Sequence, residues 1–262
     1  MEFLTYIATG ALVGFAIGLT GVGGGSLMTP LLLLFGFSPQ VAIGTDLLYA
    51  ALTKIGGAIS HHRKGNVNWK IVKRLALGSI PISILLHLLF LNWDFHADEN
   101  STTLLTRSLG IMLIVTSTIL IFRDKLRLAA VRTNPSPIMG SIHRNAGITT
   151  VLMGMVLGLC VTLSSVGAGA FGAAVLMVIY ANLPAVRIVG SDVAHAVPLT
   201  FIAGLGYLLN GYVDLMLLLS LLLGSLPAIH LGSHVSSRVS ERLLQRLLTL
   251  ILLCLGIRYL LF

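Results

Sequence analysis

The sequence predicts an all-α polytopic integral membrane protein made of two inverted repeats. Each repeat has about five helical segments, with short or broken helices after glycine-rich loops. Three observations lead there. Of 262 residues, 56% are apolar and only 10% are charged, against roughly 25% charged in soluble domains, so the chain cannot clothe a water-exposed globule. Mean hydropathy is +0.95 and apolar runs recur through the whole length, which excludes a soluble enzyme and a disordered chain. Finally, the second half echoes the first.

A spanning helix needs about 20 mostly apolar residues. Segments 3–20, 41–60, 71–91, 104–122, 146–163, 186–209, 213–231 and 243–262 meet that length. The first has no basic n-region and no small-residue cleavage site, so it reads as a membrane helix and not as a removable signal peptide. Two further apolar pieces, 26–37 and 169–182, are only about 18–21 Å long as helices, less than the hydrocarbon thickness. Both follow glycine-rich breaks (GLTGVGGGS and SSVGAGAFG), which marks them as half-helices or strongly tilted short ones. Cys160 and Cys254 lie inside apolar runs, without CxxC or clustered histidine, and read as packing residues.

The repeat shows at a constant offset of 146 (192 − 46). Gly44-Thr45-Asp46 falls on Gly190-Ser191-Asp192, Gly65 on Gly211, Val67 on Val213, and Gly78-Ser79-Ile80-Pro81 on Gly224-Ser225-Leu226-Pro227. Upstream the offset drifts: Gly14-x3-Gly18-Leu19 matches Gly154-x3-Gly158-Leu159, and Val22-Gly23-x-Gly25 matches Val166-Gly167-x-Gly169. The chain divides into half 1 (1–122), a basic linker (123–145) and half 2 (146–262).

Charge sets the orientation. Loop 61–74 carries five Lys/Arg and the linker five more, whereas 92–103 has three acids and no cation. The loop NGYVD at 210–214, repeat mate of KGNVN, has no cation either. Lys/Arg-rich loops stay cytoplasmic, so equivalent loops lie on opposite sides and both termini lie outside. The net charge of +8 is thus topology information and not a nucleic-acid footprint.

Inverted repeats with broken helices are a transporter plan, with the site where half-helix ends meet near the midplane. Glycine brings bare N–H groups close to a ligand, and the following helix offers its positive dipole end to an anion. Gly21, Gly23, Gly24, Gly25 and Ser26 form one such cradle, and Ser164, Ser165, Gly167 and Gly169 the other. The alternative is that these small residues merely permit close helix packing. Asp46, Lys54, Asp192 and His195 fall inside apolar runs, where a charge costs about 2.5–3.5 kcal/mol on insertion scales, so they are expected to have a task. Asp192 and His195 share a helix face, as do Asp46 and Tyr49. The carboxylates and the imidazole suit proton exchange, and Lys54, with Thr45 and Ser191, suits an anion. Against that, the aspartates could be caps, His195 a packing residue, and Lys54 an ion-pair partner or a snorkelling side chain. His61 and His62 accompany the basic loop as solvated groups.

The block GLTGVGGGSLMTPLLLLFGFSPQVAIGTDLLYAALTKIGG with H-x-x-x-G-x-V-x-W, and in half 2 SSVGAGAFG…VGSDVAHAVPLTFIAGLGY…GSLP, resemble the TauE/SafE family of bacterial membrane permeases. The resemblance implies a secondary transporter of the bacterial inner membrane that moves small sulfur-containing or carboxylated anions such as sulfite or sulfonates. It implies no enzymatic activity, no cofactor and no resident metal. The partners would be the anion, protons and the lipid bilayer. The family's glycine motifs map onto Gly21, Gly23, Gly24, Gly25, Gly167 and Gly169, and its helix-start motifs onto Gly44, Thr45, Asp46, Gly190, Ser191 and Asp192. Many members carry small neutral residues at the two aspartate positions, so substrate and coupling ion do not transfer with the motif. Two other readings stay open: a divalent-metal transporter using Asp46, Asp192, His195 and His61, and an intramembrane hydrolase using Ser164 or Ser165 with His195 and Asp192.

Overall fold

The computed structural model describes residues 2–20, 28–92, 99–130, 144–167, 169–235 and 241–261. Among these there are ten helices and no strand. The expected half 1 holds α1 (Glu2–Thr20), α2 (Met28–Leu34), α3 (Pro39–Arg63), α4 (Trp69–Asn92) and α5 (Glu99–Ala130), the last running past residue 122 into the expected linker. Half 2 contains α6 (Ala146–Ser164), α7 (Ala170–Ile179), α8 (Ala185–Leu209), α9 (Leu215–Val235) and α10 (Glu241–Leu261).

Segments over Trp69–Leu89, Ala146–Ser164, Ala185–Leu209 and Leu215–His234 are long and apolar enough to cross a membrane, and α1, α5 and α10 contain shorter apolar stretches. Their outward faces are hydrocarbon: Leu12, Leu77, Ile148, Leu152, Leu219 and Leu231 are all exposed. In a membrane this apolar exterior faces lipid, and the polar groups turn inward. The chain is accordingly an all-α polytopic membrane protein.

Helix α7 is shorter than its apolar run, and α2 ends before its run does. Helix α2 has seven residues and α7 has ten. Gly36 ends α2 in the left-handed region (φ 87), and Pro39 opens α3 behind Ser38, the position where a missing N–H costs nothing. Helix α5 runs on to Ala130 through the charged run RDKLR, well past its apolar part.

The pairings cross between halves. Helix α1 packs on α9 and α4 on α6, while α3 packs on α8 and α5 on α10. Backbone-to-backbone contact at the first two crossings requires glycine: a Cβ at Gly10 would strike Leu221 and one at Gly14 would strike Ser225, just as Gly154 faces Leu75 and Gly158 faces Ser79. Leu75 and Ser79 lie 146 residues before Leu221 and Ser225. This packing therefore matches Gly10 with Gly154 and Gly14 with Gly158, an offset of 144 (154 − 10), where the sequence pattern matches Gly14 with Gly154. The same 144 carries Val22-Gly23 onto Val166-Gly167.

Candidate functional site

Helices α3 and α8 cross at the centre, each burying a Gly-Thr/Ser-Asp run. Asp46 and His195 are fully buried, and Asp192 and Lys54 nearly so. Asp46 is the eighth residue of α3 and Asp192 the eighth of α8, so neither caps its own helix. Each reaches instead to the beginning of the short helix in its own half. The backbone N–H of Thr29 donates to Asp46 Oδ2 at 3.2 Å, and the Thr29 hydroxyl donates to the same oxygen. The backbone of Gly169, N-cap of α7, hydrogen-bonds the Asp192 carboxylate. Gly172 lies so close that a Cβ there would overlap Asp192 Oδ1. Both carboxylates thus occupy the electropositive ends of the two short helices.

Lys54, eight residues beyond Asp46 on α3, interacts electrostatically with both Asp46 and Asp192, and it faces His195. The structure therefore brings all four ionisable residues of the sequence reading into one buried pit. Ser165 joins them from the α6–α7 break. Its backbone is left-handed (φ 57), and its hydroxyl points toward Asp46 without reaching hydrogen-bond geometry.

Two residues not singled out from sequence complete the walls. His195 Nε2 lies 2.8 Å from Ser79 Oγ. The matching positions, 146 residues apart, are Tyr49 and Ser225, whose hydroxyls face each other. The repeated Gly-Ser-x-Pro was a visible signal for both serines, but nothing in its pattern said that they meet the pit. Among the described residues, Asp46 Oδ1, Asp192 Oδ1, Ser165 Oγ, His195 Nδ1 and the Tyr49 hydroxyl have no hydrogen-bond partner although buried. Buried polar atoms are nearly always paired, so the open oxygens of the two carboxylates, with Ser165 Oγ directed at Asp46, leave acceptor and donor capacity unused beside Lys54.

Other expected site residues are placed differently. Thr45 Oγ1 accepts the Asp214 N–H at 3.3 Å, and Ser191 Oγ accepts the Asn68 N–H at 2.8 Å while donating to the Arg187 carbonyl at 2.7 Å. Asn68 and Asp214 in turn cap α4 and α9, accepting from the N–H groups of Lys70 and Leu217. Each half thus fastens its α-helical cap loop to the other half's central helix. Ser164 Oγ donates back to the Cys160 carbonyl at 2.6 Å. Gly167 and Gly169 hold positive φ angles of 125° and 132°, conformations open to glycine. Gly21, Gly23, Gly24, Gly25 and Ser26 lie outside the described residues. Among the described residues no three His, Cys, Asp or Glu side chains are grouped to hold a metal, and His195 meets Ser79, not Ser164 or Ser165.

The family model described as "Sulfite exporter TauE/SafE" matches residues 6–259. The probable membrane transporter YjnA of Bacillus subtilis is 40% identical over 231 residues, covering 88% of this chain and 89% of its own. A second B. subtilis probable membrane transporter, YdhB, is 28% identical with 85% of each chain covered. A probable membrane transporter of Methanocaldococcus jannaschii is 27% identical, covering 82% of this chain and 80% of its own. No solved structure matches the chain. A buried cluster of charges on two apolar helices and a family match spanning nearly every residue agree: the chain belongs to the TauE/SafE family and is a multi-pass membrane transporter.

Proposed function

We propose that the protein is a secondary transporter of small oxyanions, sulfite- or sulfonate-like, that moves a proton together with its substrate across the bacterial inner membrane. The observation that carries this is the single ammonium of Lys54 between the two carboxylates of Asp46 and Asp192, all buried. With every group ionised, the pit holds one excess negative charge. An incoming anion would then meet an unneutralised carboxylate. At ~4 Å and an effective dielectric of about 20 that repulsion is on the order of 4 kcal/mol, close to a thousandfold in affinity.

A proton on one carboxylate removes the excess charge. It also frees a short-helix N-terminus, with its N–H donors, and leaves Lys54 to face the anion. Proton and anion therefore bind in the same state, which makes the carrier a cotransporter. The exchanged pairings of α1 with α9 and α4 with α6 support two inverted halves rocking about the α3–α8 crossing. The basic loop 61–74 supports a cytoplasmic α3–α4 end.

The test is uptake of labelled sulfite and toluene sulfonate into proteoliposomes under an imposed pH gradient. Wild type should accumulate one of them only with the gradient. The Asp46→Asn/Asp192→Asn double variant should lose that dependence. Normal gradient-driven accumulation in the double variant would overturn the coupling, and no flux of any sulfur oxyanion by wild type would overturn the substrate class.

A further inference from the structure

One face of α4 carries Ser79, Ser83 and His87 at successive four-residue steps, and all three are buried. The two serines meet polar side chains from other helices, and the histidine meets an aromatic ring. Ser79 Oγ lies 2.8 Å from His195 Nε2, and Ser83 Oγ accepts from the Thr162 hydroxyl at 2.9 Å. The His87 ring stands edge-on to Tyr207 at 5.4 Å, and Tyr207 donates to the Thr162 carbonyl at 3.0 Å. Gly206 makes room for the imidazole, since a Cβ there would overlap the ring. The row leads from the pit toward the Asn92 end of α4, about 12 Å along the helix.

We propose that this row of α4, with Thr162, is the path by which protons reach the Asp46–Lys54–Asp192 pit from the outer side of the membrane. The inference rests on the proton-coupled reading above and adds the route and the side of entry.

The matched face of α9 is less polar. There the positions of Ser79, Ser83 and His87 are held by Ser225, Ile229 and Ser233, and the position of Thr162 by Gly18. Ile229 is apolar, and Ser233 donates to the carbonyl of His230 within its own helix. The crossings share the contacts of Gly10 with Leu221 and Gly14 with Ser225, matched by Gly154 with Leu75 and Gly158 with Ser79; beyond these, α1–α9 closes through Gly18 on Ile229 and Gly232 on Phe15, whereas α4–α6 carries the polar row. Interhelical side-chain hydrogen bonds in membranes contribute little individually, a weak reason to bury four polar side chains in series.

Chemically the row is competent. Each hydroxyl both donates and accepts, so a proton handed in at one end releases another at the far end, with water bridging a helical turn. The His87 imidazole takes the proton from the outer side. At the pit, a proton gained on His195 Nε2 is matched by one lost from Nδ1, toward Asp192 one turn earlier on α8. The charged and titratable groups facing this route are Lys54 from α3 and Asp192 and Tyr207 from α8. The acidic 92–103 segment lies beyond the α4 end and the basic 61–74 loop at the other, which makes the His87 end the outer one.

The test follows the infrared carbonyl band of protonated Asp46 and Asp192 in proteoliposomes after a sudden drop in external pH, with the Asp46→Asn/Asp192→Asn variant identifying the band. Ser83→Ala and His87→Gln should slow its appearance at least tenfold with the same final amplitude, and millimolar azide, a mobile proton carrier, should restore the rate. Ser83→Cys, which retains a proton-bearing group, and Thr116→Val, which removes a buried hydroxyl of α5 off the row, should behave as wild type. Unchanged rates in Ser83→Ala and His87→Gln overturn the route while leaving coupling intact. Slowing that azide does not relieve assigns the row to structure and overturns the route as well. A wild type with no pH-sensitive carboxyl band overturns the coupling and the route together.

Discussion

Gly172 leaves no space between its backbone and the carboxylate of Asp192, because an added Cβ would overlap Oδ1. Gly172→Ala should therefore displace the carboxylate from the α7 N-terminus and lower transport at least tenfold. Gly57→Ala, whose Cβ would meet only Val193 Cγ1 at an ordinary 3.7 Å, should transport normally. Comparing initial uptake rates at matched protein levels checks both. Ser191 makes a different kind of contact. Its hydroxyl accepts the Asn68 N–H at the start of α4, and Ser191→Ala leaves that donor without its acceptor. The expected cost is about 1–3 kcal/mol, read as a lower melting temperature in detergent, and Ser191→Thr should recover most of it. At this scale the sequence was informative about which side chains matter and poor about what they touch. Asp46, Lys54, Asp192 and His195 stood out because charge inside an apolar run is costly, and the structure gathers all four. That Asp46 would meet Thr29 on another helix was invisible, since it depends on how α2 folds back over α3.

Helix existence was legible and helix extent was not. Apolar length located α1, α3, α4, α6, α8, α9 and α10 to within a few residues. It misjudged α5, which continues for 32 residues through a charged run, because hydrogen-bond geometry tolerates charge where apolar composition ends. It carried α2 too far at its C-terminal end, where the helix stops at Leu34 ahead of Gly36. Glycine and proline marked the breaks correctly but did not say that α3 begins two residues before its apolar run, at Pro39. That shift moves Asp46 into the third turn and away from a capping position. The glycine register shows the same limit. The GxxxGL pattern fits two alignments, and only the contacts with Leu75, Ser79, Leu221 and Ser225 choose between them.

At the scale of the whole molecule, loop charge and crossed packing support opposite exposure of the two cap loops. In a background with Cys160 and Cys254 replaced by alanine, Lys64→Cys should react with a membrane-impermeant maleimide only after cells are opened. Leu209→Cys, at the far end of the other central helix, should react in intact cells. Labelling of both from the same side would disprove the inverted arrangement.

The crossed pairing also bears on how such a chain is born. Gly10 finds its contact at Leu221, so during synthesis α1 must wait for more than two hundred further residues before its proper neighbour exists. During synthesis its small-residue stripe must rest against lipid or an assembly factor. A chain truncated at the linker keeps that stripe bare, which makes quality-control proteolysis, and not a working half-carrier, its expected fate.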